Sequence, residues 1–320
     1  MDIEYLLILQ NFRDNLVPFL APSMDWVTKM AVSYWPITML LMIYWVADRK
    51  SGRRMLAGLS LGYLMNGFLK LTVCAYRPWI RDVRIEPYGD SKVAATGYSF
   101  PSGHTTVATM TYGSVGFWFR NRKRIISIIM GIMILLTMFS RNFLGVHTPQ
   151  DVVVGFVATV VMLWLGYVIE EWSDKDPDKR DKIIIVAGLI ICVILVAYYY
   201  LKPYPMDHLS DGSLLVDPKQ MIPDSFEGIG AVVAFSICRY FERRGFEFEA
   251  ELNWKDRFIV GAFALFPLMW WCSHIVNIFA AMDLKFIGRF LYTSGIIVYA
   301  MIIVPFVMKK VKELRILEKN

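Results

Sequence analysis

Long apolar runs separated by short charged segments dominate the hydrophobic pattern of this 320-residue chain. There are nine such runs of roughly 16–27 residues, and a helix needs about 20 residues to cross the hydrocarbon core of a bilayer. They predict membrane-spanning helices at 25–47, 55–76, 103–119, 125–144, 151–169, 183–201, 225–240, 256–282 and 286–308. Residues 1–24 are amphipathic and interrupted by charge, so we expect them to lie in the membrane interface. The predicted fold class is an all-α, polytopic membrane helix bundle.

Composition supports a membrane protein. Hydrophobic residues make up 56% of the chain and the mean hydropathy is +0.44, whereas soluble domains are about 45–50% apolar. The four cysteines are scattered without metal-ligand spacing, so neither a disulfide framework nor a metal or other cofactor is expected. No cleavable leader is evident at the N-terminus. A net charge of +6 is explained by basic loops, and no nucleic acid partner is predicted.

The distribution of lysine and arginine predicts the orientation of the chain. With the N-terminus outside, the inner segments between the predicted spans hold 22 basic residues and the outer segments hold 8. Cytoplasmic loops of membrane proteins carry an excess of basic residues. The sequence therefore predicts an extracytoplasmic N-terminus, a cytoplasmic C-terminus, and three polar clusters that share the outer face.

The first two clusters lie at the end of the second predicted span and at the start of the third. Lys70 and Arg77 are seven residues apart, about two helical turns, so they share a helix face. Snorkelling of both side chains to lipid headgroups would also explain this pair. Ser102, Gly103 and His104 open the next span, where small residues let backbone N–H groups approach an anion. A simple N-cap at Ser102 is the alternative, but it does not explain the histidine.

The third cluster follows the fourth predicted span. Thr148, Pro149 and Asp151 have the spacing of a helix start, with threonine at the N-cap and an acidic residue at N3. This start places His147 close enough for Asp151 to accept a hydrogen bond from one ring nitrogen, which leaves the other nitrogen with a free lone pair. Arg141 lies six residues upstream of His147 and within reach of the same pocket.

Together, the clusters indicate a site for a multiply charged anion. They combine two histidines and one carboxylate with three cations, Lys70, Arg77 and Arg141. The planar fork of arginine suits phosphate oxygens in particular. Beside a bound phosphate, one histidine can attack phosphorus and the other can protonate the departing oxygen, although the residues alone do not rank the two. In the absence of metal-ligand spacing, the cations would supply the charge that Mg²⁺ supplies elsewhere.

The three clusters resemble the three-part signature of the type 2 phosphatidic acid phosphatase family, which includes lipid phosphate phosphatases, isoprenyl diphosphate phosphatases, glucose-6-phosphatases and vanadium haloperoxidases. The matching positions are Lys70-(six)-Arg77-Pro78, Pro101-Ser102-Gly103-His104 and Ser140-Arg141-(five)-His147-(three)-Asp151. The resemblance covers roughly residues 25–200 and implies a six-helix core.

The resemblance also implies a role for each matched residue. His147 would be the nucleophile that forms a phosphohistidine, Asp151 would orient and polarise it, and His104 would be the general acid for the leaving group. The phosphoryl oxygens would be held by the remaining positions: Lys70, Arg77, Arg141, and Ser102 with the backbone of Gly103. The resemblance implies no metal.

The sequence divides into an interfacial segment at 1–24, a phosphatase core at 25–201, and a C-terminal part at 202–320. This last part would contain an outer loop, three further spans and a basic tail. The sequence indicates neither its role nor the oligomeric state. The layout of nine spans with the N-terminus outside is also similar to that of the glucose-6-phosphatase branch of the family.

A phosphate pocket at the outer bilayer surface favours an amphiphilic substrate whose tail stays in lipid. We therefore expect an integral membrane phosphatase acting on a phosphatidic acid-like lipid or a polyprenyl diphosphate. A sugar phosphate phosphatase and a phosphotransferase with an acceptor other than water remain alternatives. A transporter or flippase is the alternative from another class, but its charges would line a path at mid-bilayer depth. A catalytically silent lipid-binding protein would not need both histidines and the carboxylate.

Overall fold

The structure, a computed structural model, describes residues 2–17, 19–95, 97–209, 212–245 and 253–317. Within these ranges the chain is helical and forms no β-strand, which confirms the predicted all-α fold class. The main helices, numbered in chain order, are α1 Asp2–Asn11, α2 Leu20–Ala31, α3 Tyr34–Met42, α4 Arg49–Val73, α5 Gly103–Phe119, α6 Arg124–Phe143, α7 Pro149–Ser173, α8 Pro177–Leu201, α9 Phe226–Gly245, α10 Trp254–Ala281, α11 Lys285–Val298 and α12 Val304–Leu317.

Shorter helical segments extend or connect these helices. Single π-helical turns follow α1, α3 and α11, at Phe12–Leu16, Ile43–Ala47 and Tyr299–Ile303. Four-residue helices occupy Pro78–Arg81, Ser91–Ala94 and Pro218–Met221, and a 3₁₀ turn at Ile222–Ser225 leads into α9. Several segments predicted as connections, among them 49–54 and 241–245, are therefore helical. Residues 246–252, part of a predicted inner loop, and 318–320, the end of the predicted basic tail, lie outside the described residues.

The count of nine spans is not confirmed. Each predicted span overlaps helical structure, but in the described part of the chain seven helical segments are long and apolar enough to cross a membrane. The number is eight if α2 and α3, which form a bent pair, make one span. Helix α5 has only 17 residues and so measures about 25 Å at 1.5 Å per residue, which is short of the about 30 Å hydrocarbon core.

The first predicted span, at 25–47, is interrupted in the structure. Helix α2 ends at Ala31 and α3 begins at Tyr34. Pro36 lies in the first turn of α3, where its missing N–H leaves no hydrogen bond unmade. An uninterrupted helix would instead require that N–H to bond the carbonyl of Val32, so the chain breaks before the proline.

The structure divides into two compact units, each built from three stretches of the chain. The first unit comprises Met1–Pro36, Met65–Met162 and Tyr199–Ile222. Its apolar core joins α2 to the end of α6 and to the loops on either side of Ser91–Ala94. Buried members of this core include Met24, Val27, Phe143 and Val146. All of the predicted site residues belong to this unit.

The N-terminal segment packs onto the first unit. Arg13 is only 3% exposed, and its guanidinium donates to the carbonyl oxygens of Phe143, at 3.2 Å, and Glu86, at 3.0 Å. Two ion pairs, Asp2 with Arg81 and Glu4 with Arg84, add contacts with the short helix Pro78–Arg81 and with the loop that follows it. The predicted segment 1–24 thus contacts the rest of the first unit at these residues. Its position in the membrane interface and the division of the chain into three parts stay predictions.

The second unit comprises Ile37–Leu64, Leu163–Tyr198 and Pro223–Asn320. Helix α9 packs closely against α11, and α11 packs against α10. Small residues permit the close approach, since a Cβ added at Gly230 would overlap with the backbone of Phe290. Such small-residue contacts are common between membrane helices.

A network of buried charges links α9 to α4, α7 and α8 inside the second unit. Arg239 has no exposed surface and contacts the carboxylates of Glu170 and Asp181 and the hydroxyl of Ser173. Arg53 donates to the other oxygen of Glu170 at 2.9 Å. Removing one partner from a buried ion pair is costly because the remaining charge is left uncompensated.

We predict that Arg239→Met destabilises the protein, because the substitution leaves Glu170 and Asp181 buried without their principal cation. The expected loss in the free energy of unfolding is about 3 kcal/mol, measured by equilibrium unfolding in mixed micelles. Lys179→Met is the matched control, since Lys179 is exposed and its side chain makes no described contact. Equal stability of the two variants would contradict a stabilising role for the network.

Candidate active site

Both ring nitrogens of His147 are engaged in hydrogen bonds. This histidine lies between α6 and α7 and is 1% exposed. Nη1 of Arg77 lies 2.9 Å from Nε2, and because a guanidinium can only donate, Nε2 must carry the lone pair. The ring hydrogen is then on Nδ1, which lies 3.3 Å from Oδ2 of Asp151 and 3.3 Å from Oγ of Ser99. The contacts thus select one tautomer, with the lone pair on Nε2.

The surroundings of His147 also keep the ring neutral. Its pKa is lowered below the ordinary value, first by burial and next by the positive charge of Arg77. The hydrogen bond to Asp151 acts in the opposite direction but does not compensate. A lowered pKa means that the ring does not take up a proton until the pH falls below the usual range for histidine. At neutral pH the lone pair on Nε2 is therefore available.

Asp151 is held by the helix start that the sequence indicates. Its Oδ2 accepts from the backbone N–H of Thr148 at 2.8 Å, and its own N–H donates to Oγ1 of Thr148 at 3.4 Å. The same Oδ2 accepts from the hydroxyl of Ser99 at 2.6 Å. This reciprocal cap explains why a carboxylate can stay buried, at 3% exposure, next to His147.

Arg77 is anchored by backbone carbonyls as well as by His147. It precedes the short helix Pro78–Arg81 and is 4% exposed. Its Nε donates to the carbonyl oxygen of Gly97 at 3.1 Å, and Nη1 donates to that of Val146 at 3.1 Å. Two loops that are distant in sequence therefore meet at this guanidinium.

Arg141 brings a second buried guanidinium to the first unit. It is 3% exposed, and Nη1 donates to Oγ1 of Thr28 on α2 at 3.0 Å. Its Nε is buried and makes no hydrogen bond within the described part of the chain. A buried cationic donor without an acceptor is costly, so this atom is suited to receive an oxygen of an anionic ligand.

The remaining predicted residues surround His104. Ser102 caps α5, its Oγ accepting from the N–H of Thr105 at 3.4 Å, and its own N–H donates to the carbonyl of Asp151 at 3.0 Å. An added Cβ at Gly103 would meet no heavy atom within 4 Å, which shows open space beside this helix start. His104, at the first turn of α5, lies within electrostatic reach of His147 and of the three predicted cations, Lys70, Arg77 and Arg141.

All eight predicted site residues thus fall in the first unit. Direct hydrogen bonds join Arg77, His147, Asp151 and Ser102, whereas His104, half-buried like Lys70, approaches the group electrostatically. The excess of positive charge over one carboxylate disfavours a metal cation and favours an anion. Within the described residues no group of three or more histidine, cysteine or acidic side chains has the geometry to hold a metal ion.

Three supporting residues were not among the predicted site residues. Ser99 bonds Asp151, Thr28 bonds Arg141, and Asn142 donates to the carbonyl oxygen of His147 at 2.8 Å. Ser99 lies three residues before Ser102 and Asn142 directly follows Arg141, so their nearness to predicted positions was a usable signal. Thr28 is more than a hundred residues from Arg141, and no local pattern points to it.

Comparison with known sequences places similarity in the region of this site. The sequence model of the PAP2 superfamily matches residues 52–175. Phosphatidylglycerophosphatase B of Bacillus subtilis (strain 168) is 26% identical over 176 residues, covering 52% of this chain and 81% of that protein. Undecaprenyl-diphosphatase BcrC of the same organism is 31% identical over 156 residues, covering 47% of this chain and 74% of that protein.

Two further comparisons concern a third relative and a solved structure. The undecaprenyl-diphosphatase of Sulfolobus acidocaldarius is 26% identical over 169 residues, covering 52% of this chain and 77% of that protein. The crystal structure of a transmembrane PAP2 type phosphatidylglycerolphosphate phosphatase from Bacillus subtilis superposes with a TM-score of 0.43 and 25% identity. That superposition covers 53% of this chain and 84% of the other.

We predict that Ser99→Ala lowers kcat/KM for phosphate release by about 10-fold, because Asp151 loses a short hydrogen bond that helps to fix its orientation towards His147. Ser99→Thr keeps the hydroxyl and is expected to retain more activity. Ser114→Ala is the control, since Ser114 is also buried but lies on α5 ten residues beyond His104. Equal rates for Ser99→Ala and the control would show that Asp151 does not need this bond.

Proposed function

The chain belongs to the PAP2 superfamily and is a multi-pass membrane phosphatase, and we propose that it hydrolyses a lipid phosphomonoester or diphosphate through a phosphohistidine at His147. The observation that carries the mechanism is the pair of hydrogen bonds to this ring: Nε2 faces Arg77, while Nδ1 faces Asp151. This arrangement leaves one nitrogen basic and holds the other as a donor to a carboxylate, as a nucleophilic histidine requires.

Substrate entry changes the partner of Arg77. Its Nη1 covers the lone pair of His147 Nε2 at 2.9 Å, so attack requires this donor to turn to a phosphoryl oxygen. Nε of Arg141, buried without a partner, is a second donor for the phosphoryl oxygens. Lys70 and the N–H groups at the start of α5 complete the proposed cradle.

In the first step, the lone pair of His147 Nε2 forms a bond to phosphorus while the bond from phosphorus to the leaving oxygen breaks. His104, which is protonated once the negative charge of the bound phosphate offsets the nearby cations, transfers its proton to that oxygen, so that the leaving group departs as an alcohol or a phosphomonoester. The developing imidazolium of His147 is stabilised by Asp151 through the Nδ1–H hydrogen bond. The three cations stabilise the negative charge on the equatorial oxygens of the transition state.

In the second step, water attacks the phosphohistidine. Neutral His104 accepts the proton from the water molecule, the P–N bond breaks, and inorganic phosphate leaves. His147 returns to its neutral tautomer and His104 is again protonated. No metal is needed for this cycle, since the proposed cations provide the charge that neutralises the phosphoryl group.

A lipid substrate is favoured by the membrane context of the site. The clustered residues lie at or near the ends of apolar helices, so a lipid phosphate can present its head to the site while its tail stays in the bilayer. The names of the relatives, phosphatidylglycerophosphatase and undecaprenyl-diphosphatase, support the same two substrate classes. A sugar phosphate substrate and a non-water phosphoryl acceptor are the competing outcomes of the assay below.

We further propose that the N-terminus and the site are extracytoplasmic and that the C-terminus is cytoplasmic. The excess of lysine and arginine in alternate segments supports this orientation.

The function is tested by phosphate release in nanodiscs with phosphatidic acid, phosphatidylglycerol phosphate, a polyprenyl diphosphate and glucose 6-phosphate. We expect release from a lipid substrate, at least a 1000-fold loss in His147→Ala without unfolding, and inhibition by orthovanadate, which mimics five-coordinate phosphorus. Release from glucose 6-phosphate alone would replace the lipid proposal. Activity without vanadate inhibition would count against a phosphohistidine.

The orientation is tested with single cysteines in a variant that lacks the four native ones. A cysteine at Lys123, in the turn between α5 and α6, is expected to be inaccessible to an impermeant maleimide in intact cells. A cysteine at Val83, which is 89% exposed, is expected to react. The reverse labelling pattern would invert the proposed orientation, and both sites are compared with their labelling after the cells are opened.

A further inference from the structure

The first compact unit contains the stretch Tyr199–Ile222, which lies beyond residues 52–175 matched by the PAP2 superfamily. Residues 199–209 and 212–222 of this stretch, here called the 199–222 segment, are described. Its side chains contact the chain just before Arg77 and also at Gly97, whose carbonyl binds Arg77. The segment thus contacts the protein at two places next to Arg77.

The first contact is at the end of α4. Cys74 has a φ of 52°, a left-handed conformation that ends the helix and is uncommon for a residue with a side chain. The last carbonyls of a helix lack partners within it. Nζ of Lys202 donates to the carbonyl oxygens of Leu71 and Thr72, the latter at 3.2 Å, and lies 3.5 Å from Sγ of Cys74. Lys202 therefore caps α4 from outside, where a cation is also favoured by the helix dipole.

This cap lies between two predicted phosphate-binding residues. Lys70 immediately precedes the capped carbonyls, and Arg77 follows them by five residues. The direction in which the chain leaves α4 sets the separation of Lys70 and Arg77. A second bond fixes the same connection, since the hydroxyl of Tyr76 donates to Oδ2 of Asp207 at 2.6 Å.

The other contact is at Gly97. This residue has a φ of +67°, and an added Cβ would overlap with Sδ of Met221. The carbonyl oxygen of Gly97 accepts from Nε of Arg77 at 3.1 Å. Met221 therefore packs directly against Gly97, the residue whose carbonyl oxygen binds the guanidinium of Arg77.

We propose that the 199–222 segment is a positioning element for Arg77, and that Lys202 is its principal positioning residue. The proposal rests on the proposed function, because it assigns Arg77 to a phosphoryl oxygen. Lys202 acts through the end of α4 and not on the substrate, since its ammonium is engaged by the carbonyls of Leu71 and Thr72. This gives part of the chain beyond the family region a role in the reaction.

The expected kinetic effect follows from the geometry of the transferred group. A misplacement of about 1 Å can cost up to about 100-fold in rate, and Lys202→Met removes the cap without placing a new charge near Arg77. We expect kcat/KM for the preferred lipid phosphate to fall about 10-fold and the inhibition constant for orthovanadate to rise. Lys202→Arg, which can still donate to both carbonyls, is expected to restore most of the activity.

Lys219→Met is the matched control, because Lys219 belongs to the same segment, is exposed and makes no described side-chain contact. Thermal unfolding of each variant is measured beside the kinetics. If Lys202→Met does not accumulate as folded protein, Asp207→Ala is assayed in its place, since it removes the acceptor of Tyr76 from an exposed position. A loss of kcat/KM relative to Lys219→Met supports the proposal, and equality overturns it.

A double-mutant cycle with Arg77→Lys tests the route of the effect. If Lys202 acts through Arg77, the loss caused by Lys202→Met is smaller in the Arg77→Lys background than in the native one. Full additivity overturns the proposal. His147→Ala distinguishes a failure of the positioning role from a failure of the proposed function. If His147→Ala abolishes phosphate release while Lys202→Met does not differ from the control, only the positioning role fails. If the native protein releases no phosphate, both proposals fail.

Discussion

The hydrogen bond between Nδ1 of His147 and Oδ2 of Asp151 is the contact on which the rest of the site depends. Together with the Arg77 donor at Nε2, it sets the tautomer of the ring, in which Nε2 carries the lone pair. The bond can exist in a buried place only because Asp151 is itself held by Ser99 and by the backbone of Thr148. A local helix start, the hydroxyl of a distant loop and one imidazole thus form a single unit.

The buried cations Arg77 and Arg141 are the second constraint on the site around His147. Arg77 and Arg141 are each less than 5% exposed, although one negative charge cannot neutralise both. Backbone carbonyls and the hydroxyl of Thr28 satisfy several of their N–H groups, while Nε of Arg141 has no partner among the described residues. An uncompensated buried charge is costly, and this cost is an argument for the anionic ligand that we propose.

Segments beyond the family region contribute to the first compact unit. Thr28 bonds Arg141, Arg13 bonds the carbonyl of Phe143 near the end of α6, and Lys202 caps α4. The second unit obtains its own cohesion from the buried charges around Arg239, which connect α9 with α7 and α8. Parts of the chain without a recognisable motif thus stabilise the arrangement of the parts that have one.

The amino-acid sequence by itself determined the helical class and the approximate place of the apolar helices in the described ranges, because hydropathy is a local property. Capping patterns and cluster spacing, which are also local, predicted the eight candidate site residues, and their roles stay proposals. The sequence also indicated the reciprocal cap of Thr148 and Asp151. Only the tertiary structure decided that Arg77 faces Nε2 of His147 and that Thr28 holds Arg141. The physical reason is that these contacts join residues up to 113 positions apart, where packing and not local periodicity selects the partner.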